Sequence, residues 1–181
     1  TVFMTEHSVQ PISTDFSKPA KKQLNKTEGK KMIKYCKDKW NKNKDLLEEA
    51  LKYDRTLNTC DYDHLLELIV ENILNDGSNG YDDTWDSKRI TTIDNGDYQG
   101  TLLFLIPAKT YQPSEYEYMM TYVDYGSCSG CDTLQAIQHW RGDTEPPTKQ
   151  QLKDFMSLCK DMVCNMIKPY NTGWRNNTDF E

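Results

Sequence analysis

The stretch "YEYMMTYVDYGSCSGCDTLQ", Tyr116–Gln135, decides what kind of fold this chain adopts. Its first ten residues, Tyr116–Tyr125, alternate between two faces with the period of two that marks a strand, and Gly126 ends the alternation. From Cys131 the segment "CDTLQAIQHW" changes to helical spacing, with Leu134, Ile137 and Trp140 on one side. A strand therefore runs into a short helix through a tight turn. Upstream, "RITTID" (Arg89–Asp94) and "GTLLFLIP" (Gly100–Pro107) read as two more strands separated by "NGD", a hairpin signal. Three successive strands with no helix between them predict an antiparallel sheet rather than a parallel βαβ unit.

Helical patterns surround this sheet. From Lys26 to Tyr53, Ile33, Cys36, Trp40, Leu47 and Leu51 recur at helical spacing with Lys on the other faces, and Asn41–Asn43 is the expected point of interruption. A second helix is predicted from Asp61 or Tyr62 to Leu74, with Leu65, Leu66, Ile69, Ile73 and Leu74 buried and Asn75-Asp76-Gly77 as its end. The last helix follows Pro146 and Pro147. Thr148 and Gln151 form a capping box there, Leu152, Phe155, Met156, Cys159, Met162, Val163 and Met166 make one stripe, and Pro169 closes the segment. The expectation is an α+β fold: a small antiparallel sheet of about three strands with about four helices packed mainly on one face. It is expected to form one domain over residues 26–170, between an N-terminal arm (1–25) containing Pro11 and Pro19 and a polar tail (171–181).

A chain of 181 residues can bury a core without a metal or disulfide to hold it, so neither is required. The mean hydropathy of -0.83 is low, but eleven Tyr, four Trp and five Phe supply burial. The longest apolar run, "TLLFLIPA" (Thr101–Ala108), falls far short of the ~18 residues of a membrane span, and the N-terminus has no signal-peptide pattern. A soluble cytoplasmic protein with no membrane partner and reduced thiols follows as the expectation.

The net charge of -6 conceals two opposite segments. Lys18–Lys44 holds eleven Lys against Glu28 and Asp38, a local charge of +9, whereas Asp61–Asp97 holds ten acids against Lys88 and Arg89, a local charge of -8. In the acidic segment the loop Asp76–Ser87 adds Tyr81 and Trp85, so Asp82, Asp83, Trp85 and Asp86 are the candidate contacts for a basic groove on a partner protein. In the basic segment Lys30, Lys31, Lys34 and Lys37 are candidate phosphate contacts for nonspecific, salt-sensitive nucleic-acid binding. A net negative chain repels a polyanion, which ranks protein binding first.

Cys128-Ser-Gly-Cys131 is a C-x-x-C spacing with three readings. As half of a zinc site it needs two further ligands. Cys159 and Cys164 stand ~140° apart on one helix and cannot grip one ion together, which leaves His139 or His64 to complete the site. As a redox pair it gains from Ser129: if Ser129 caps the helix, Asp132 completes a Ser-x-x-Asp box and Cys131 lies in the first turn, where amide hydrogens favour a thiolate. As a plain turn, Gly126 and Gly130 supply the bend and Ser129 the cap. The chain contains no nucleophile elbow, Walker loop, H-E-x-x-H or zinc-deaminase signature, so no catalytic residue and no cofactor is expected, zinc at Cys128 and Cys131 being the alternative.

The string "YGSCSGCDTLQ" (Tyr125–Gln135), together with "DYQGTLLFLIPAKTYQPSEYEYMMTYVDY" (Asp97–Tyr125) before it, resembles a pattern found in small uncharacterised proteins encoded by bacteriophages. The likeness runs from Asp97 to Ile137 and brings no activity, so it assigns no residue a role. It implies a phage-type accessory protein in the cytoplasm of a bacterial host, more a binder than an enzyme, that modulates a host protein such as a defence system. Cys-dependent metal or redox chemistry and nonspecific nucleic-acid binding are the alternatives.

Overall fold

The computed structural model describes residues 26–76, 85–138 and 145–168, with side chains from Met32 onward. Four α-helices and one three-stranded sheet make up an α+β fold, as the pattern predicts. The helices are α1 (Lys26–Tyr53), α2 (Tyr62–Ile69), α3 (Thr133–Gln138) and α4 (Lys149–Cys164). The strands are β1 (Thr91–Asp94), β2 (Gly100–Pro107) and β3 (Tyr118–Tyr125), in antiparallel order β1-β2-β3. The β2–β3 register pairs Gly100 with Tyr125 and Pro107 with Tyr118, while β1 pairs Asp94 with Leu102.

Alternation along the strands places Leu102, Phe104, Ile106, Met119, Thr121 and Val123 on one face, toward the helices. Phe104, Ile106 and Met119 are fully buried there against helical residues that include Leu65, Ile69, Phe155 and Met162. Each such side chain contributes about 1.5–3 kcal/mol by leaving water. The sheet is also tied to the C-terminal helix by polar bonds. The buried Thr121 hydroxyl donates to the Met162 carbonyl at 2.6 Å, and Met120 and Ile167 exchange two backbone bonds of 2.8 Å just after α4.

Two helices depart from the expected pattern. The first runs unbroken through Asn41–Asn43, because Asn43 is a tertiary anchor: it is buried and donates to the Ile73 carbonyl at 2.8 Å. The second continues into a π-helical turn, Val70–Leu74, which adds Val70 to the buried stripe. Asn75-Asp76 ends this segment as predicted, with Asp76 in the left-handed region at φ 55°. Asn43, Lys39 and Lys42 all donate to the Asp76 carboxylate. Desolvation pushes that carboxyl upward, but the bonds from Lys42, Lys39 and Asn43 outweigh it and pull the pKa down to about 2.

Helix α4 starts at the predicted capping box. The Gln151 amide donates to Thr148 Oγ1 at 3.3 Å, and the Thr148 amide donates to Gln151 Oε1 at 3.1 Å. Gln151 is itself buried and donates from Nε2 to Asn58 Oδ1 and to the Ile137 carbonyl, which joins α4 to the end of α3.

Candidate functional site: an exposed dithiol turn

The turn between β3 and α3 is fixed from below before its sulfurs are considered. Asp132 is 5% exposed and caps α3: its Oδ1 accepts from the Gln135 amide at 2.9 Å, while its carbonyl receives the Ala136 amide at 3.0 Å. The same carboxylate accepts from the Tyr62 hydroxyl at 3.2 Å and from the Gly126 amide at 3.3 Å. Tyr62, the first residue of α2, also accepts from the Leu134 amide at 3.2 Å. Gln135 closes the ring by donating to the Gly126 carbonyl at 3.1 Å. A buried carboxylate with three donors is a satisfied group, and it locks both ends of the turn.

This corrects the predicted cap. Ser129 lies outside α3, which begins only at Thr133, so Cys131 precedes the helix and gains nothing from a first-turn position. Asp132, Tyr62 and Gln135 are the residues that sequence reasoning missed. The signal was present for two of them, since Asp132-x-x-Gln135 is a capping spacing that overlaps Ser129-x-x-Asp132.

Above this foundation Ser127–Cys131 is exposed to solvent. The Cys131 amide donates to the Cys128 carbonyl at 2.9 Å, closing a four-residue turn that folds the two thiols together. Their sulfurs stand 2.7 Å apart. The Cys128 amide donates to Cys131 Sγ at 3.1 Å, and the Cys131 thiol reaches the Cys128 carbonyl at 3.2 Å. Gly126 makes room for this arrangement: a Cβ there would lie 2.6 Å from both the carbonyl oxygen and the sulfur of Cys131. A hydrogen bond from the Cys131 thiol, followed by those from the Gly130 and Cys131 amides, holds the Cys128 thiol below its ordinary pKa against the opposing charge of Asp132. One thiol proton lies between the two sulfurs and the Cys128 amide also donates to Cys131 Sγ, so the lowered pKa belongs to the Cys128–Cys131 pair.

Both cysteines are free thiols, exposed and brought into contact by the turn. Among the described residues no group of three or more His, Cys, Asp or Glu is placed to hold a metal ion. His64 is engaged elsewhere, with Nε2 2.6 Å from Asp54 Oδ2 and 3.2 Å from the Thr56 hydroxyl, and His139 lies outside the described residues.

Asp82 and Asp83 lie outside the described residues. Trp85, expected to be an exposed anchor, is half-buried against the core, its backbone gripped by Asn75 and its indole N–H donating to the Tyr35 hydroxyl at 3.3 Å. Asp86 caps a short 3-10 turn, Ser87–Arg89, and binds Arg89 Nε at 2.6 Å. On α1, Lys34 is paired with Asp38 at 2.8 Å and Lys37 is exposed, while the side chains of Lys30 and Lys31 fall outside the described residues. No helix among the described residues is long and apolar enough to cross a membrane. No protein-family model, curated protein or solved structure matches the chain.

Proposed function

We propose that this protein carries out thiol–disulfide exchange through Cys128 and Cys131. The observation that carries the reading is the 2.7 Å approach of two solvent-exposed sulfurs on a turn locked by a buried carboxylate. In the forward direction the Cys128 thiolate attacks one sulfur of a partner disulfide. A mixed disulfide forms on Cys128, and the other partner sulfur leaves as a thiolate. Cys131, deprotonated to solvent, then attacks Cys128 Sγ. The intramolecular disulfide forms, the second partner thiolate leaves, and two electrons have passed from the protein dithiol to the partner disulfide. The reverse sequence oxidises a partner dithiol.

Phage-type capture of a host protein, the expectation attached to the resemblance, is compatible with this chemistry, because the mixed disulfide is itself a covalent complex with a partner. Its proposed surface is then the dithiol turn, since Trp85 packs inward.

The test is oxidation of the reduced full chain by oxidised glutathione, followed by peptide mapping. The expected product is lighter by two hydrogens and linked Cys128 to Cys131. Cys131→Ser is expected to stop at a glutathione adduct on Cys128, which native protein resolves. Oxidation that leaves Cys128 and Cys131 as free thiols, or that gives adducts without the internal bond, overturns the proposal.

A further inference from the structure

The dithiol turn presents its two sulfurs as one set of donors. Backbone amides are aimed at both: the Cys128 amide donates to Cys131 Sγ at 3.1 Å, and the Gly130 and Cys131 amides donate to Cys128. Bonds of this kind are strongest to anionic sulfur, so the turn is built to hold thiolates. Beneath it the Asp132 carboxylate, 5% exposed, acts on Cys128 by its charge and opposes a thiolate left without a cation. Its own oxygens are taken by Gln135, Tyr62 and Gly126, and no ion pair involving it is formed among the described residues. No His, Asp, Glu or further Cys among the described residues joins the two sulfurs as a third ligand. The site is therefore two soft donors, open to solvent, with negative charge below them.

We infer that Cys128 and Cys131 together bind one soft monovalent cation, Cu(I) being the physiological ion of that class. The donor set decides the metal. Zinc held structurally by a protein takes four protein ligands, and calcium or magnesium takes oxygen. Thiolate selects soft ions, and Cu(I), with its closed d shell, is satisfied by two sulfurs. A cation between the sulfurs also offsets the charge that Asp132 sets against them. Loading releases both thiol protons to solvent, forms two S–Cu bonds and leaves copper in its +1 state, so no oxidant or reductant is consumed. The sulfurs part to admit the ion by rotation of two exposed side chains, while Asp132, Gln135 and Tyr62 keep the turn below in place. Copper binding and thiol–disulfide exchange use the same sulfurs without requiring one another, and a loaded turn cannot exchange.

The experiment titrates the reduced full chain, without oxygen, into Cu(I) held by bicinchoninate, with ascorbate keeping the metal reduced, and reads the loss of the coloured chelate. The native chain is expected to withdraw one Cu(I). Cys128→Ser and Cys131→Ser are each expected to weaken binding by about a hundredfold or more, because each removes one of two ligands. Cys164→Ser, which changes an exposed thiol at the end of α4, should leave it as it was. X-ray absorption by the loaded native chain should show sulfur ligands alone, a readout that needs no variant to fold. No uptake, uptake unaffected by either serine in the turn, or a nitrogen ligand on the bound copper overturns the inference. So does one Zn(II) retained through gel filtration at the same two cysteines. Lack of uptake by a chain in which oxidised glutathione still links Cys128 to Cys131 removes copper binding and leaves exchange standing; lack of both removes both.

Discussion

Cys60 and Cys128 have the same side chain and opposite chemistry. Cys60 is half-buried after α1, where desolvation first, and then the charges of Asp54 and Asp61, push its thiol up to about 12. Burial likewise raises Cys36 to about 11 and drives Cys159 upward in the middle of α4. Cys128 moves the other way, because the Cys131 thiol and two backbone amides stabilise its thiolate in the open. In this molecule burial makes cysteine a hydrophobe, on a helix or in a connection alike, and the open turn makes it a nucleophile. The spacing of cysteines in the sequence matters only once it is known which of these two settings they occupy.

That contrast is broken most directly by alkylation. With limiting iodoacetamide at pH 8, Cys128 is expected to react on the order of a thousandfold faster than Cys60, since only the thiolate attacks. Cys164 is exposed at the end of α4 and is the internal control: an open thiol without a second sulfur hydrogen-bonded to it. It should label more slowly than Cys128 and faster than Cys36, Cys60 and Cys159. Peptide mapping by mass spectrometry reads all six sites, and labelling of Cys128 no faster than Cys164 would show that the turn does not activate its thiol.

A smaller effect separates the two glycines of the turn. At Gly126 a methyl group would collide with the backbone and sulfur of Cys131 at 2.6 Å, whereas at Gly130 the nearest atom to an added Cβ is Cys128 Sγ at 3.8 Å, an ordinary contact. Gly126→Ala is expected to cost roughly 1–3 kcal/mol of stability through forced displacement and to slow internal disulfide formation about tenfold or more. Gly130→Ala should leave both within experimental error. Equal behaviour of the two variants in urea melts and oxidation kinetics would remove the claim that Gly126 seats Cys131.

What the sequence disclosed follows the same division. The bounds of α1 and β2, the capping box at Thr148 and the strand-turn-helix order around Cys128 were legible, because each depends on residues within a few positions of one another. The cap of α3 was not. Two overlapping boxes, Ser129-x-x-Asp132 and Asp132-x-x-Gln135, compete locally, and in the structure Tyr62, about seventy positions away, binds both Asp132 and the Leu134 amide. Trp85 turned inward for a similar reason, since Asn75 brackets its backbone from ten residues upstream. The π-helical turn after α2 also escaped detection: an apolar stripe reports which residues are buried, and an extra residue within a turn only widens it.

The smallest predicted effect tests whether reactivity belongs to the turn or to the stability of the whole body. Thr148→Ala removes a capping oxygen from α4 and leaves the Gln151 amide without its partner, for an expected loss of ~1 kcal/mol. Helix α4 carries Phe155, Cys159, Met162 and Val163 into the core, so the loss is global and should lower the urea midpoint. The turn at Cys128 is held instead by Asp132, Gln135 and Tyr62, none of which bonds Thr148. The alkylation rate of Cys128 should therefore equal that of the parent chain under native conditions, while Cys159, protected by folding, should label faster by about the factor of five that ~1 kcal/mol represents. A rise in the Cys128 rate parallel to that of Cys159 would mean that both thiols report one unfolding equilibrium, and the distinction between nucleophile and hydrophobe would collapse into a difference of depth.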